Sequence, residues 1–544
     1  MLADIAVGAT PEDHPNRAIY LFGLGSSLDT RSERIRSLDN LNRALSYYKE
    51  GWACSSSALS IRIQFTGLAS AAAATALSAG KTPYQALRLL ELGRDVIAGL
   101  LMEMRRDIRY PHLADKFTNL LSKESRVKRR HEASQSFEKL IDKIRAQPKF
   151  HNFLLPPTAD EMMEAANPGP IIVINVSPYR CDSFLIERDQ IRALQLAGLN
   201  PKDAQVRAHE LRSSHQASFH ISQLLEWLWD VVSLPSLEAL GFTKPLKNDW
   251  PRVWWIPTGL LSHLPLHAAG HHIEGSSETV LDRVMSSYSS SVKALIHTRR
   301  GYGQRPMLPQ SENAVLVAMR ETPGLSVNRT LPFAADEVDM LNAICPSMGL
   351  KPITPSPRKD DVSPSLCRDD VLKHLRQCRI FHFAGHGRPD PTEPSRSCLL
   401  LEDWESKPLT AGDLRDHNLW KNPPFLAYLS ACSTGANEAD ELVDEGVHLV
   451  SAFQLAGFCH VVGTLWKVSD RHCVNAARVL YETIRDDGMT DAAVCRGLHR
   501  AIRALRDEQI KGGGKKRDAK LPGLGTEATQ WTSAYWVPYI HFGV

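Results

Sequence analysis

Two stretches of the chain decide its fold, RIFHFAGHG at residues 379–387 and FLAYLSACSTG at residues 425–435. Each begins with a short apolar run that is typical of a buried strand, and each ends in residues that predict a turn. His386 follows the first predicted strand and Cys432 follows the second. The two stretches therefore place an imidazole and a thiol at the ends of two strands.

The segments around these stretches alternate between strand and helix patterns. Strands are predicted at 314–319, 379–384, 424–430 and 460–466, with helices at 335–344, 369–378 and 446–457. Alternation of this kind predicts the α/β class, with a mostly parallel sheet that is flanked by helices. Further strands are predicted upstream at 171–176, 184–186 and 253–257. Two helices at 470–486 and 491–509 and a final strand within 531–543 are predicted downstream.

The first 150 residues favour helices. Pro83 after Thr82 is a typical helix start, and LDNLNRALSYYKEGW (38–52) resembles a tetratricopeptide repeat unit with Ala44 at its close-packing position. A clean 34-residue period is missing, so we expect one or two degenerate repeats at most. The predicted domains are a helical region at 1–150 and two further segments at 160–305 and 310–544.

Composition narrows the possible functions. The 544 residues carry 64 Lys and Arg against 61 Asp and Glu, a balance that predicts neither a nucleic-acid nor a membrane partner. No apolar run is as long as a transmembrane helix, and the N-terminus lacks the order of a signal peptide, so a cytoplasmic location is expected. The ten cysteines form no CxxC pair, and we expect neither a metal nor a cofactor.

The chemistry follows from the two strand ends. In open parallel sheets the functional groups gather at the carboxyl ends of strands, so His386 and Cys432 are expected to share one crevice. The imidazole would take the thiol proton, and the N–H groups of Gly387 and Cys432 would form an oxyanion hole. Either residue alone would more often be an ordinary packing or turn residue. His386 precedes Cys432 by 432 − 386 = 46 residues, which suits a caspase-like arrangement.

HFAGHG and LSACSTG resemble the CHAT domain, a caspase-like peptidase module related to the separases. GLLSHLPLHAA (259–269) and AGFCHVVGTLWKVSD (456–470) resemble further segments of that family, so the resemblance covers roughly residues 160–544. It implies that His386 is the general base and Cys432 the nucleophile of a cysteine endopeptidase that cleaves proteins through an acyl-enzyme. The resemblance also implies that residues 160–305 are the non-catalytic half and residues 310–544 the catalytic half of the domain. The family commonly has tetratricopeptide repeats upstream, and a regulatory protein partner at the helical N-terminal region is a further expectation.

Asp470 ends the LWKVSD segment. In the related separases an acidic residue of this loop lines the pocket for a basic P1 side chain, so the resemblance makes Asp470 a candidate for the S1 pocket. The alternative is that Asp470 only caps a helix that begins near Arg471.

Two other interpretations are open, and a third is set aside. ACSTG resembles a weakened nucleophile elbow, in which Ser433 would serve an α/β-hydrolase with His460, His472, His499 or His541 as its base. The chain could instead be a non-catalytic caspase-like scaffold that binds partners. A metal site at His382 and His386 has i, i+4 spacing, but that spacing does not align two rings on a strand.

Overall fold

A computed structural model describes most of the chain. The described residues are 43, 67–92, 94, 143, 145–146, 155–213, 221–303, 311–326, 329–355, 366–390, 394–417, 419, 422–431, 434–435, 448–468, 470–513 and 534–544. Cys432 and Ser433 lie outside them, as do most of the residues of the predicted repeat unit at 38–52.

Fourteen strands lie within the described ranges. They are β1 Ile171–Asn175, β2 Asp182–Ile186, β3 Ile191–Gln195, β4 Arg252–Pro257, β5 Met285–Tyr288, β6 Asn313–Ala318, β7 Lys351–Ile353, β8 Ile380–Ala384, β9 Gly387–Arg388, β10 Cys398–Leu399, β11 Leu409–Thr410, β12 Leu426–Ser430, β13 His460–Thr464 and β14 Tyr539–Gly543.

Fourteen α-helices are described. They are α1 Leu68–Ser78, α2 Pro83–Leu92, α3 Ala159–Ala165, α4 Pro201–Ser213, α5 Ile221–Leu228, α6 Leu234–Ala239, α7 Val280–Arg283, α8 Val292–Gly303, α9 Phe333–Ile344, α10 Arg368–Leu375, α11 Ala411–Asp416, α12 Leu449–Ala456, α13 Asp470–Asp486 and α14 Asp491–Gly513. A π-helical turn at Trp229–Ser233 joins α5 to α6.

Eleven strands form one sheet in the order β3-β2-β1-β4-β5-β14-β13-β12-β8-β6-β7. The strands β13, β12, β8, β6 and β7 run parallel to one another, and β1, β4, β5 and β14 do the same. The direction reverses between β13 and β14, which pair antiparallel. The sheet therefore contains two parallel sets that run in opposite directions, and the antiparallel strands β2 and β3 extend it beyond β1. We call the place where β5, β14 and β13 meet the seam.

Both faces of this sheet are buried, because successive side chains of a strand point to opposite faces and pack into a core on each side. In β8, Phe381 and Phe383 join the core on one face, whereas Ile380 joins the core on the other. The strands β8, β12 and β13 are buried along their whole length, which explains why their sequences are continuously apolar. Helices pack on both faces, so the predicted α/β class with a mostly parallel, helix-flanked sheet is confirmed.

Most of the predicted elements are present within a few residues of their expected ends. The helix start at Pro83 is confirmed, and Thr82 forms a reciprocal cap with Gln85 at 3.1 and 3.3 Å. Gly457, with φ 124°, ends α12 as the sequence predicts. The sequence analysis missed β3, β5, β7 and a small sheet with the order β11-β10-β9.

The described part of the helical N-terminal region packs on the half of the sheet that contains β1 and β4. The side chain of Asn175 at the end of β1 donates to the Ser70 carbonyl of α1 at 3.0 Å. Glu91 at the end of α2 accepts the backbone N–H groups of Val292 and Lys293, at the start of α8. Among the described helices, none combines the length and the apolar character that a membrane span requires.

Candidate active site

The two strands that carry the predicted catalytic pair are neighbours. β8 and β12 run parallel, and Ala384 pairs with Ser430 at their carboxyl ends. The Gly385 N–H donates to the Ser430 carbonyl at 3.1 Å, which continues the pairing beyond the strands. In the sequence, His386 and Cys432 each follow this last pair by two residues. His386 and Ala431, the last described residue before Cys432, follow the strands at the same rim of the sheet.

His386 is partly exposed, and a contact with the backbone fixes which of its ring nitrogens carries the proton. Its Nε2 lies 2.7 Å from the Arg329 carbonyl oxygen, so Nε2 carries a proton and donates it to this bond. In the neutral ring Nδ1 is then the basic nitrogen. The imidazole can accept a proton at Nδ1 without breaking its existing hydrogen bond.

The glycines on either side of His386 have different structural roles. A Cβ on Gly385 would lie 2.6 Å from the Phe383 ring and 3.0 Å from Met319 Cβ, so no larger residue fits there. Gly387 lies opposite Leu399 in the small sheet, and the bond in that register runs from Leu400 N–H to the His386 carbonyl. This makes Gly387 and Leu399 a non-hydrogen-bonded pair, which directs the Gly387 N–H away from β10.

Asp470 is the first residue of α13, and its carboxylate caps a different helix. Its Oδ2 accepts the Phe333 N–H at 2.8 Å, at the start of α9. Burial raises the pKa of Asp470, and the negative charges of Glu337 and Asp336 act in the same direction. The hydrogen bond from the Phe333 N–H acts in the opposite direction, as would a proton on His386. Asp470 therefore lies within electrostatic range of His386, and it is the cap of α9 rather than a simple cap of its own helix.

A buried polar layer lies beneath the rim. The Ser430 hydroxyl donates to Glu337 Oε2 at 3.0 Å, and Glu337 is 1% exposed. Glu337 Oε1 also lies 3.1 Å from His382 Nε2, although the two atoms are not aligned as a hydrogen bond. His382 stacks on Tyr428 with 4.9 Å between ring centroids, and its Nδ1 contacts the Tyr481 hydroxyl at 3.1 Å. His382 is thus a packed core residue.

One residue holds both described ends of the loop that contains Cys432. Thr464, at the carboxyl end of β13, donates its hydroxyl to the Ala431 carbonyl at 2.7 Å. Its N–H donates to the Thr434 hydroxyl at 2.9 Å, and its carbonyl accepts the Gly435 N–H at 2.8 Å. Three hydrogen bonds from Thr464 therefore fix the residues on either side of positions 432 and 433.

Sequence reasoning missed Thr464 and Glu337. Thr464 occurs in the quoted segment HVVGTLW, but nothing in that pattern shows that its hydroxyl serves a residue of another strand. Glu337 sits among exposed acidic neighbours on α9, and only its burial distinguishes it.

The other predicted bases do not reach an open site. His460, His499 and His541 are buried, and His472 stacks on Tyr535 with 3.6 Å between ring centroids. Within the described ranges no three His, Cys, Asp or Glu side chains are grouped so that they could hold a metal ion.

Comparison with known proteins places this arrangement in a family. The family model of the CHAT domain matches residues 222–544, which is more than half of the chain, so the chain belongs to the CHAT domain family. The resemblance seen in HFAGHG and LSACSTG is confirmed. A comparison with curated protein sequences returned no match.

Solved structures resemble this chain, and the match to separase supports its fold. Separase of Saccharomyces cerevisiae, in its complex with securin, matches with a TM-score of 0.55 and 11% identity, over 97% of this chain and 40% of that chain. RgpB of Porphyromonas gingivalis, in the complex of its pro- and mature domains, matches with a TM-score of 0.36 and 11% identity, over 59% of this chain and 75% of that chain. This chain spans less than half the length of the separase chain. The fold is caspase-like, so the α/β-hydrolase fold that the Ser433 alternative assumed is not the fold of this chain.

Proposed function

We propose that this chain is a cysteine endopeptidase in which Cys432 is the nucleophile and His386 the general base. The observation that supports the proposal most is the register of β8 and β12, which carries both residues two positions past the paired Ala384 and Ser430. The CHAT family and the caspase-like fold agree with it.

The proposed reaction has two steps. The Cys432 thiol gives its proton to His386 Nδ1, and the thiolate attacks the carbonyl carbon of a peptide bond. The amides of Gly387 and Cys432 stabilise the oxyanion. When the C–N bond breaks, the imidazolium returns its proton to the leaving amine, which leaves a thioester on Cys432. His386 then takes a proton from water, and the hydroxide releases the acyl group.

Asp470 is the proposed S1 residue for a basic P1 side chain. Its Oδ2 is used to cap α9, so the substrate cation would approach Oδ1. Asp470→Asn keeps an oxygen that can accept the Phe333 N–H but removes the charge, whereas Asp470→Ala would also remove the cap. In Asp470→Asn, kcat/KM for peptides with Arg at P1 should fall towards the value for Leu at P1. An unchanged Arg preference would remove Asp470 from the S1 pocket.

The endopeptidase proposal is tested with peptidyl acyloxymethyl ketone probes on the purified chain. We expect labelling of the wild type that is lost in Cys432→Ala and in His386→Ala. Cys367→Ala is the matched control, because Cys367 is a partly exposed cysteine outside the rim and its replacement should leave labelling intact. Labelling that survives in Cys432→Ala, or that never occurs in the wild type, would contradict the proposal and favour the non-catalytic scaffold.

Partner and location complete the proposal. We place a protein substrate at the rim, a regulatory protein partner at the helical N-terminal region and the protein in the cytoplasm. Separase was solved in complex with securin, which gives a precedent for a protein partner in a protein of this fold. New N-termini that accumulate with the wild type but not with Cys432→Ala would identify the substrate.

A further inference from the structure

A cavity lies at the seam, on one face of the sheet. Its walls are formed by the end of β4 at Pro257, by Tyr288 of β5 and by Phe542 of β14, and its volume is about 40 Å³. Gly435 and His448, which flank residues 436–447 in the sequence, also line it. The cavity therefore adjoins both halves of the sheet and the segment that follows position 432.

Arg94 of the N-terminal region is a wall residue of this cavity. It is 6% exposed, and its Nη2 donates to the Pro257 carbonyl at 2.9 Å. Nε and Nη1 are buried and find no hydrogen-bond partner in the part of the chain that the structure describes. A guanidinium is always charged, and burying a charge without a counter-charge costs free energy. An anion bound beside Arg94 would reduce this cost.

The rest of the wall suits an anion. None of the described residues that line the cavity is an aspartate or a glutamate. His448 accepts the Ser451 N–H on its Nδ1 at 3.2 Å, and burial lowers the pKa of His448 to about 3. The ring is therefore neutral at pH 7 and carries its proton on Nε2, which makes it a second donor in the same wall.

We propose that this cavity binds a small oxyanion, a carboxylate or a phosphate group, with Arg94 as its principal ligand and His448 as a supporting donor. His386 is not among the residues that line the cavity, and the proposal does not depend on the proposed peptidase activity. Because Arg94 comes from the helical region and Gly435 follows the Cys432 loop, a bound anion would join these two parts of the molecule to the end of β4.

Thermal unfolding of the full chain tests this site. Inorganic phosphate and acetate are titrated separately against chloride at equal ionic strength. We expect at least one of the two oxyanions to raise the Tm of the wild type along a saturating curve, by about 2 °C or more once the anion far exceeds its Kd. The two arms distinguish a phosphate site from a carboxylate site, and equilibrium dialysis with labelled phosphate or acetate measures binding directly.

Arg94→Gln is the diagnostic variant and Arg88→Gln its matched control, since Arg88 is an exposed arginine of α2. The saturating rise should disappear in Arg94→Gln and persist in Arg88→Gln. Without added oxyanion Arg94→Gln should be at least as stable as the wild type, because it removes a buried charge that no described residue of the cavity wall neutralises. A wild type that does not respond, or an equal, non-saturating response in all three proteins, would overturn the inference.

Discussion

Replacement of Thr464 by valine offers the sharpest test of how the Cys432 loop is held. The substitution removes the hydroxyl that donates to the Ala431 carbonyl at 2.7 Å, while the backbone bonds of residue 464 to Thr434 and Gly435 remain. Valine has nearly the same shape as threonine, so it should create no cavity. The change therefore isolates one hydrogen bond at one end of the loop.

The magnitude follows from burial. Thr464 and Ala431 are each 1% exposed, so the Ala431 carbonyl cannot exchange the lost donor for water without opening the structure. Leaving a buried acceptor unsatisfied costs about 1–3 kcal/mol. Since 1.36 kcal/mol corresponds to a factor of ten, local opening of this loop should become about 5- to 150-fold more frequent.

Hydrogen exchange of peptides that cover residues 425–435 measures this opening, and urea unfolding followed by tryptophan fluorescence measures the global effect. Thr483→Val is the matched control. Thr483 is also buried, but its hydroxyl donates to the Val479 carbonyl at 2.8 Å, which already accepts a helical N–H. Equal exchange rates at 425–435 in the two variants would refute the reasoning, because the Thr464 hydroxyl would then contribute nothing to the stability of the loop.

Two further predictions concern the rim and the seam. Burial raises the pKa of Asp470, so the native state binds its proton more tightly than the unfolded state, and the stability from this group is lost as pH rises from about 4 through the raised pKa. Asp470→Asn should remove that slope from unfolding curves measured between pH 3.5 and 7 (roughly the span of the effect); an unchanged slope would assign it elsewhere. In Gly543→Ala the new Cβ would lie 2.5 Å from His460 Nδ1 and 2.8 Å from His541 Nε2, so we expect a loss of about 1–3 kcal/mol in the free energy of unfolding. Gly198→Ala, whose Cβ would have 3.5 Å to its nearest neighbour, is the control, and equal stability of the two variants would contradict the steric argument.

The strand ends could be predicted because local pattern and tertiary role agree there. The apolar runs before His386 and Cys432 are buried on both faces, which leaves little choice of structure, and the glycines mark where each run must stop. The neighbouring positions of β8 and β12 follow from general rules about parallel sheets. Fold class and the candidate rim were therefore accessible from one sequence.

The reversal of strand direction at the seam could not be predicted from the sequence in the same way. β5 has the sequence MSSY, which lacks a strand pattern, and it pairs with β14 about 250 residues later. Residues of such short strands owe their conformation to their neighbours in the sheet rather than to their own preferences. The strands of the small β11-β10-β9 sheet have two residues each and give no period to detect.

The polar contacts of the site were also hidden for a physical reason. Asp470 caps a helix that begins 137 residues earlier, and Thr464 serves a carbonyl 33 residues away. A cap or a hydroxyl bond of this kind depends on which elements meet in space, and sequence spacing carries no information about that. Cys432 itself lies outside the described residues, so its role stays a prediction.

The central position of β14 has a consequence for how the molecule is assembled. β14 separates β5 from β13, yet it follows both of them in the chain, after the long helix α14. The strands β1, β4 and β5 and the strands β13, β12, β8, β6 and β7 can each pack against their own helices. They can form one continuous sheet only after residues 539–543 have paired between β5 and β13. Pairing between strands so far apart in the sequence loses the conformational entropy of a large loop before new contacts can offset that loss. We therefore expect the pairing of β14 to be a late and slow step of folding.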